Sequence, residues 1–107
     1  MRIGVPREIK PDEYRVGLTP TAVREYVARG HEVLVEQGAG AGAGYADEAY
    51  ARAGARLTPN AEEVFAAAEL VIKVKEPQPD EWARLSERQI LFTYPVSYTH
   101  LTLPTKA

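Results

Sequence analysis

Two cations stand where chemistry could be done. Arg15 lies in "EYRVGLTP", just ahead of an expected helix start, and its planar guanidinium suits bidentate capture of a carboxylate. Lys75 closes the apolar run "LVIKVKEP". In parallel sheets, ligands collect beyond the carboxyl ends of strands, so a lysine there can meet one. Taken alone, each has the type and setting of an ordinary solvated surface charge.

A third feature is the turn "QGAGAGAGY", residues 37–45. Gly38, Gly40 and Ala43 satisfy the loose G-x-G-x-x-G/A pattern of a dinucleotide site, between a strand-like run and a helix-like one. Three points argue against a phosphate there. Glu36 ends the preceding strand and would repel a pyrophosphate if it faced the loop. The acidic residue expected about 20 positions on is missing from "RLTPNAEE". Alternating Gly-Ala also matches the pattern in more than one register. The turn reads as a tight, closely packed corner, and no cofactor-binding residue is assigned to it.

These residues need elements to hold them. "RIGV" at Arg2 to Val5 predicts a strand that stops at Pro6, followed by a charged loop broken by Pro11. Thr19-Pro20 predicts a helix start, with Val23, Tyr26 and Val27 as its apolar stripe and Gly30 past its end. "HEVLVE" predicts a strand and Asp47 to Ala53 a short helix closed by Gly54. Asn60 and Glu63 form a capping box for "AEEVFAAAE". "LVIKV" has the continuous apolar character of a buried parallel strand, "DEWARL" gives a helical turn, and "QILFTY" a last strand. The alternation predicts an α/β fold, a Rossmann-like parallel sheet with flanking helices.

At 107 residues the chain is one domain at most, small for an enzyme that also carries a cofactor. Its 13 basic and 15 acidic residues are mixed, for a net charge of −2, which argues against nucleic acid or a lipid surface as partner. The absence of cysteine removes disulfides, thiolate metal sites and a thiol nucleophile, and no metal ligand set stands out. No apolar run approaches membrane-spanning length and no apolar leader follows Met1, so the expected setting is cytoplasmic.

The wording around Arg15 and Lys75 adds more. "MRIGVPREIKPDEYRVGLTP", "GHEVLVEQGAGAGAGYADEAYARAGA", "AELVIKVKEPQPDEW" and "ILFTY" together resemble the N-terminal segment of bacterial alanine dehydrogenase. That family is shared with the nicotinamide nucleotide transhydrogenase α subunit. The resemblance runs from Met1 to Tyr94, and "YRVGLTP" and "KVKEP" look like the dehydrogenase branch. It implies part of a substrate domain for reversible oxidative deamination of L-alanine to pyruvate and ammonia, with NAD as acceptor. By resemblance, Arg15 binds the substrate carboxylate, and Lys75 is both substrate-binding and catalytic, polarising the carbonyl. NAD would be bound by a domain absent from this chain, and the family is a homo-oligomer, typically a hexamer. A transhydrogenase α-subunit fragment and a stand-alone module that captures a small carboxylate are the rival readings.

The pattern breaks after Tyr94. The family's catalytic histidine would fall at position 96, which holds Val96. His100 lies in "PVSYTHLTLPTKA" without matching neighbours, so the role is not transferred to it. His31, at a strand start, reads as structural or exposed. "VSYTHLTLPT" resembles a translated sequencing adapter, so residues 95–107 are expected to be a non-family tail of foreign origin, pairing with nothing. The expected domains are 1–94 and that tail, in a truncated and inactive chain.

Overall fold

The computed structural model of the chain describes residues 1–94 with the backbone of Ser97 and Tyr98. The elements in order are β1 (Arg2–Val5), α1 (Pro20–Ala28), β2 (Glu32–Glu36), a 3-10 turn (Ala41–Ala43), α2 (Asp47–Arg52), β3 (Arg56–Thr58), α3 (Ala61–Ala67), β4 (Leu70–Lys73), α4 (Pro79–Trp82), β5 (Ile90–Thr93) and β6 (Ser97–Tyr98). The sheet order is β3-β2-β1-β4-β5-β6. The first five strands are mutually parallel, and β6 alone runs antiparallel, on β5. The expected α/β fold is the observed one.

Strand parity divides the core in two, because alternate side chains point to opposite faces. Ile3, Val5, Val33, Val35 and Ile72 face Val23 of α1 and Tyr50 of α2. Val71 and Leu91 face the other way, against Phe65 of α3 and Ala68. Helices therefore cover both faces, and each fully buried valine or leucine contributes about 1.5–3 kcal/mol by leaving water. The expected caps form in part. Thr19 accepts the Ala22 amide at 3.2 Å with Pro20 behind it. Asn60 accepts the Glu63 amide at 3.0 Å, giving one half of the expected box.

Two expectations are corrected. No strand was expected between the helix closed by Gly54 and the helix capped by Asn60, yet Arg56–Thr58 pairs with Leu34, Val35 and Glu36 as β3. A strand of three residues, set between the Gly54 stop and Pro59, is too short for alternation to show in sequence. The tail was expected to pair with nothing, but Ser97 and Tyr98 pair with Phe92 and Leu91. The backbone amides and carbonyls along the outer edge of β5 offer a ladder to any extended segment, whatever its side chains. The expectations for Val96 and His100 lie outside the described residues.

Candidate functional site

β1 has β2 on one side and β4 on the other, so chains leaving β1 and β4 diverge to opposite halves of the sheet. A crevice opens at such a switch point, beyond the carboxyl ends of the two strands. The loop after β1 and the residues after β4 are its walls, and they carry Arg15 and Lys75.

Glu8 joins the walls. Its carboxylate accepts the amides of Val74 at 3.0 Å and Lys75 at 3.2 Å, and the Lys73 ammonium at 3.1 Å. Lys73 also pairs with Glu81 at 3.1 Å, and all three side chains are buried. Burial pushes the Glu81 carboxyl up, against the pull of Lys73. Lys73 shares its face with Val71, so a strand that reads as apolar has one inward cation that requires a carboxylate partner.

The loop then folds back. The Glu13 amide donates to the Lys10 carbonyl at 3.1 Å, with Pro11 and Asp12 between them. Asp12 sits at φ 65, the left-handed region that the third position of a type II turn demands and aspartate tolerates. Beneath the turn, Glu13 accepts Arg15 Nε at 3.0 Å, Nη2 at 2.9 Å and the Arg15 amide at 2.9 Å. Lys75 Nζ stands 4.0 Å from Glu13 Oε1, the oxygen that accepts Arg15 Nη2. The hydrogen bonds from Arg15 hold the Glu13 carboxyl at about 2, well below its ordinary 4.5. Arg15 is 67% exposed at its side chain and Glu13 only 5%.

The structure thus brings the two cations together. A cavity of about 400 Å³ is lined by Lys10, Pro11, Asp12, Glu13, Tyr14, Arg15 and Lys75. A second, of about 540 Å³ and more apolar, shares Arg15 and is walled by Val16, Leu18, Val74, Tyr45 and Tyr94 among others. Lys10 is committed to Glu76 at 2.8 Å. The far wall is tied in by the Tyr94 hydroxyl, which donates to the Gly17 carbonyl at 3.0 Å. Gly17 is obligatory, since a Cβ there would lie 2.9 Å from the Ile72 carbonyl carbon.

Glu8, Glu13, Lys73 and Tyr94 were not singled out from the sequence. The one signal available was Lys73 inside an otherwise apolar buried strand. Nothing local marks Glu8 as the carboxylate that meets it, 65 residues away.

The glycine turn has its own occupants. The Gly38 amide donates to Asp47 Oδ1 at 2.9 Å, so a carboxylate of the chain already takes that loop donor. A Cβ on Gly40 would lie 2.8 Å from the Tyr50 hydroxyl oxygen. Glu36 turns back to accept the Arg7 amide at 2.9 Å. The residues present therefore do not fit the pyrophosphate of NAD. His31 is half-buried against Tyr26, its Nδ1 lacking a hydrogen-bond partner among the described residues, at the amino end of β2 and so on the opposite edge of the sheet. Among the described residues, no group of three or more His, Asp or Glu side chains is arranged to hold a metal ion, and no helix is long and apolar enough to cross a membrane.

A parallel α/β domain with a polar cleft at its switch point is the class that the fold and the cleft define. The chain belongs to the family described as alanine dehydrogenase/PNT, N-terminal domain, which matches residues 4–105. It is 55% identical over 94 residues to an alanine dehydrogenase of Halomonas elongata and 50% identical over 94 residues to that of Bacillus subtilis. Each alignment covers 88% of this chain and 25% of the relative, so the chain spans about a quarter of the length of the curated relatives it matches. Among solved structures, an L-alanine dehydrogenase superposes with a TM-score of 0.85 at 50% identity, covering 87% of this chain and 26% of that one. A transhydrogenase from Sinorhizobium meliloti superposes at 0.81 with 28% identity, covering 87% and 27%.

Proposed function

We propose that this chain forms the carboxylate-recognising wall of the substrate site of an NAD-dependent L-alanine dehydrogenase. On this reading Arg15 binds the carboxylate of L-alanine or pyruvate. Lys75 hydrogen-bonds the substrate's remaining oxygen and stabilises negative charge as it develops there. The observation that carries the reading is that Arg15 and Lys75, 60 residues apart in sequence, face one cavity and meet on a single carboxylate, Glu13.

NAD, the acceptor in the reversible deamination of L-alanine to pyruvate and ammonia, has its site outside these 107 residues in this proposal. The assembled enzyme would be a cytoplasmic homo-oligomer. The higher identity to dehydrogenases than to the transhydrogenase favours an amino-acid substrate over a nucleotide one. The 107 residues alone are a binding unit without turnover, because the position assigned by resemblance to the proton-transfer histidine holds Val96.

Calorimetric titration with pyruvate tests the reading. The chain should bind, and Arg15→Ala should lose at least about tenfold in affinity because a charged group loses its bidentate partner. Equal affinity in the variant would remove Arg15 from the site. Alanine-dependent NAD reduction that disappears in His100→Ala would show that the tail supplies the missing acid-base group.

A further inference from the structure

We propose that Glu13 is a positioning residue that sets the charge of the cleft and thereby selects monocarboxylates over dicarboxylates, an inference that rests on the reading of Arg15 and Lys75 given above. A guanidinium has two bidentate edges. Glu13 occupies the side edge, through Nε and Nη2. The end-on edge, Nη1 with the remaining hydrogen of Nη2, is open among the described residues, on a side chain that is largely exposed. A ligand carboxylate can therefore take the end-on fork without displacing Glu13. The internal carboxylate aligns the fork and the external one uses it.

The charges around the pair lead to selectivity. Of the other charges, Lys10 is neutralised by Glu76, while Glu8, Lys73 and Glu81 form a buried cluster that does not line the cavity. Asp12 lies on the exposed rim, in water. Arg15, Lys75 and the buried Glu13 carboxylate then leave one positive charge uncompensated. That matches a single carboxylate. The second carboxylate of a dianion would meet Lys75 beside Glu13, whose charge already offsets one of the two cations, and the like charges of the two carboxylates repel. Glu13 thus rejects by repulsion what Arg15 and Lys75 alone would accept.

The test compares pyruvate with oxalate, a dianion of nearly the same shape, by calorimetry on the 107-residue chain. In Glu13→Gln, which keeps the side-chain size, the oxalate-to-pyruvate affinity ratio should rise about tenfold. Glu13→Asp, which keeps the charge, should restore most of the original ratio, a rescue that a merely structural role does not predict. An unchanged ratio in Glu13→Gln, with pyruvate binding that still requires Arg15, sinks this proposal and leaves the site reading intact. Absence of pyruvate binding to the unaltered chain and to both variants overturns both. A readout independent of the variants is the Arg15 Nε–H resonance. It should keep its hydrogen-bonded position when pyruvate saturates, and movement to a free position would mean that the ligand displaces Glu13, which overturns the proposal.

Discussion

The Glu8 carboxylate accepts the backbone amide of Lys75 at 3.2 Å, so the strand-end lysine is held by its main chain while its side chain reaches Glu13 in the cleft. The same carboxylate neutralises the buried Lys73. Glu8→Ala should cost about 3–5 kcal/mol, the range for removing one partner of a buried ion pair. Urea denaturation measures this. A loss below about 1 kcal/mol would mean that Glu81 alone satisfies Lys73.

Gly17→Ala should destabilise by about 1–3 kcal/mol, because the new methyl group meets main chain that cannot swing away. It should also weaken pyruvate binding, since Arg15 lies two residues upstream on the same strap. Stability measured beside affinity separates the two effects, and an unaltered protein by both measures would contradict the close approach of residue 17 to β4.

Acid should loosen the fold through Glu13. Its carboxyl is depressed from 4.5 to about 2, chiefly by the hydrogen bonds from Arg15. A depressed carboxyl contributes stability that is complete above its unfolded value and is lost as the pH falls through its folded one. The urea midpoint should therefore decline between pH 4.5 and about 2. Arg15→Ala should flatten that decline, and an equally steep decline in the variant would assign it to other carboxylates.

Alkali should act through Tyr50. Burial raises its hydroxyl from 10.0 to about 12, and that hydroxyl donates to the Leu18 carbonyl at 2.8 Å. A raised phenol favours the neutral form in the folded state, so stability is intact below pH 10 and is lost as the pH climbs through about 12. Tyr50→Phe should cost about 1 kcal/mol near neutrality and remove that alkaline loss. Thermal melts across the pH range would show an unchanged alkaline slope if another group is responsible.

NADH should not saturate the chain when nucleotide fluorescence is followed to about millimolar concentration, a range that covers weak specific binding. The Gly38 amide and the space above Gly40 are both in use. Saturation that Gly40→Val abolishes would reverse the reading of the glycine turn.

The sequence made the larger elements legible because their signals are local. Pro6 stops β1, Thr19-Pro20 starts α1, and the run from Leu70 marks β4. β3 was hidden because it is short and owes its existence to β2, whose paired residues lie 22 positions earlier in the chain. Arg15 and Lys75 were found through the wording around them, which resembles a known family. Their convergence was not visible, because a switch point exists only once strand order is known. Glu8 and Glu13 escaped notice for a related reason. Each is one of many charged residues in a charged loop, and only the fold tells which carboxylates turn inward.

The central place of β1 has a consequence for how the chain acquires its fold. Among the strands described, β1 leaves the ribosome before the others, and β2 follows about 30 residues later to pair with one of its edges. The other edge has no partner until β4 is made, some 65 residues after β1. Through that interval Ile3 and Val5 have half a sheet around them, and the newly made chain carries an open strand edge able to pair with a neighbour. Closure waits on contacts far apart in sequence, which slows folding. Chains stalled or cut before Leu70 should therefore be the aggregating species, while those that extend through β5 collapse with both edges of β1 paired.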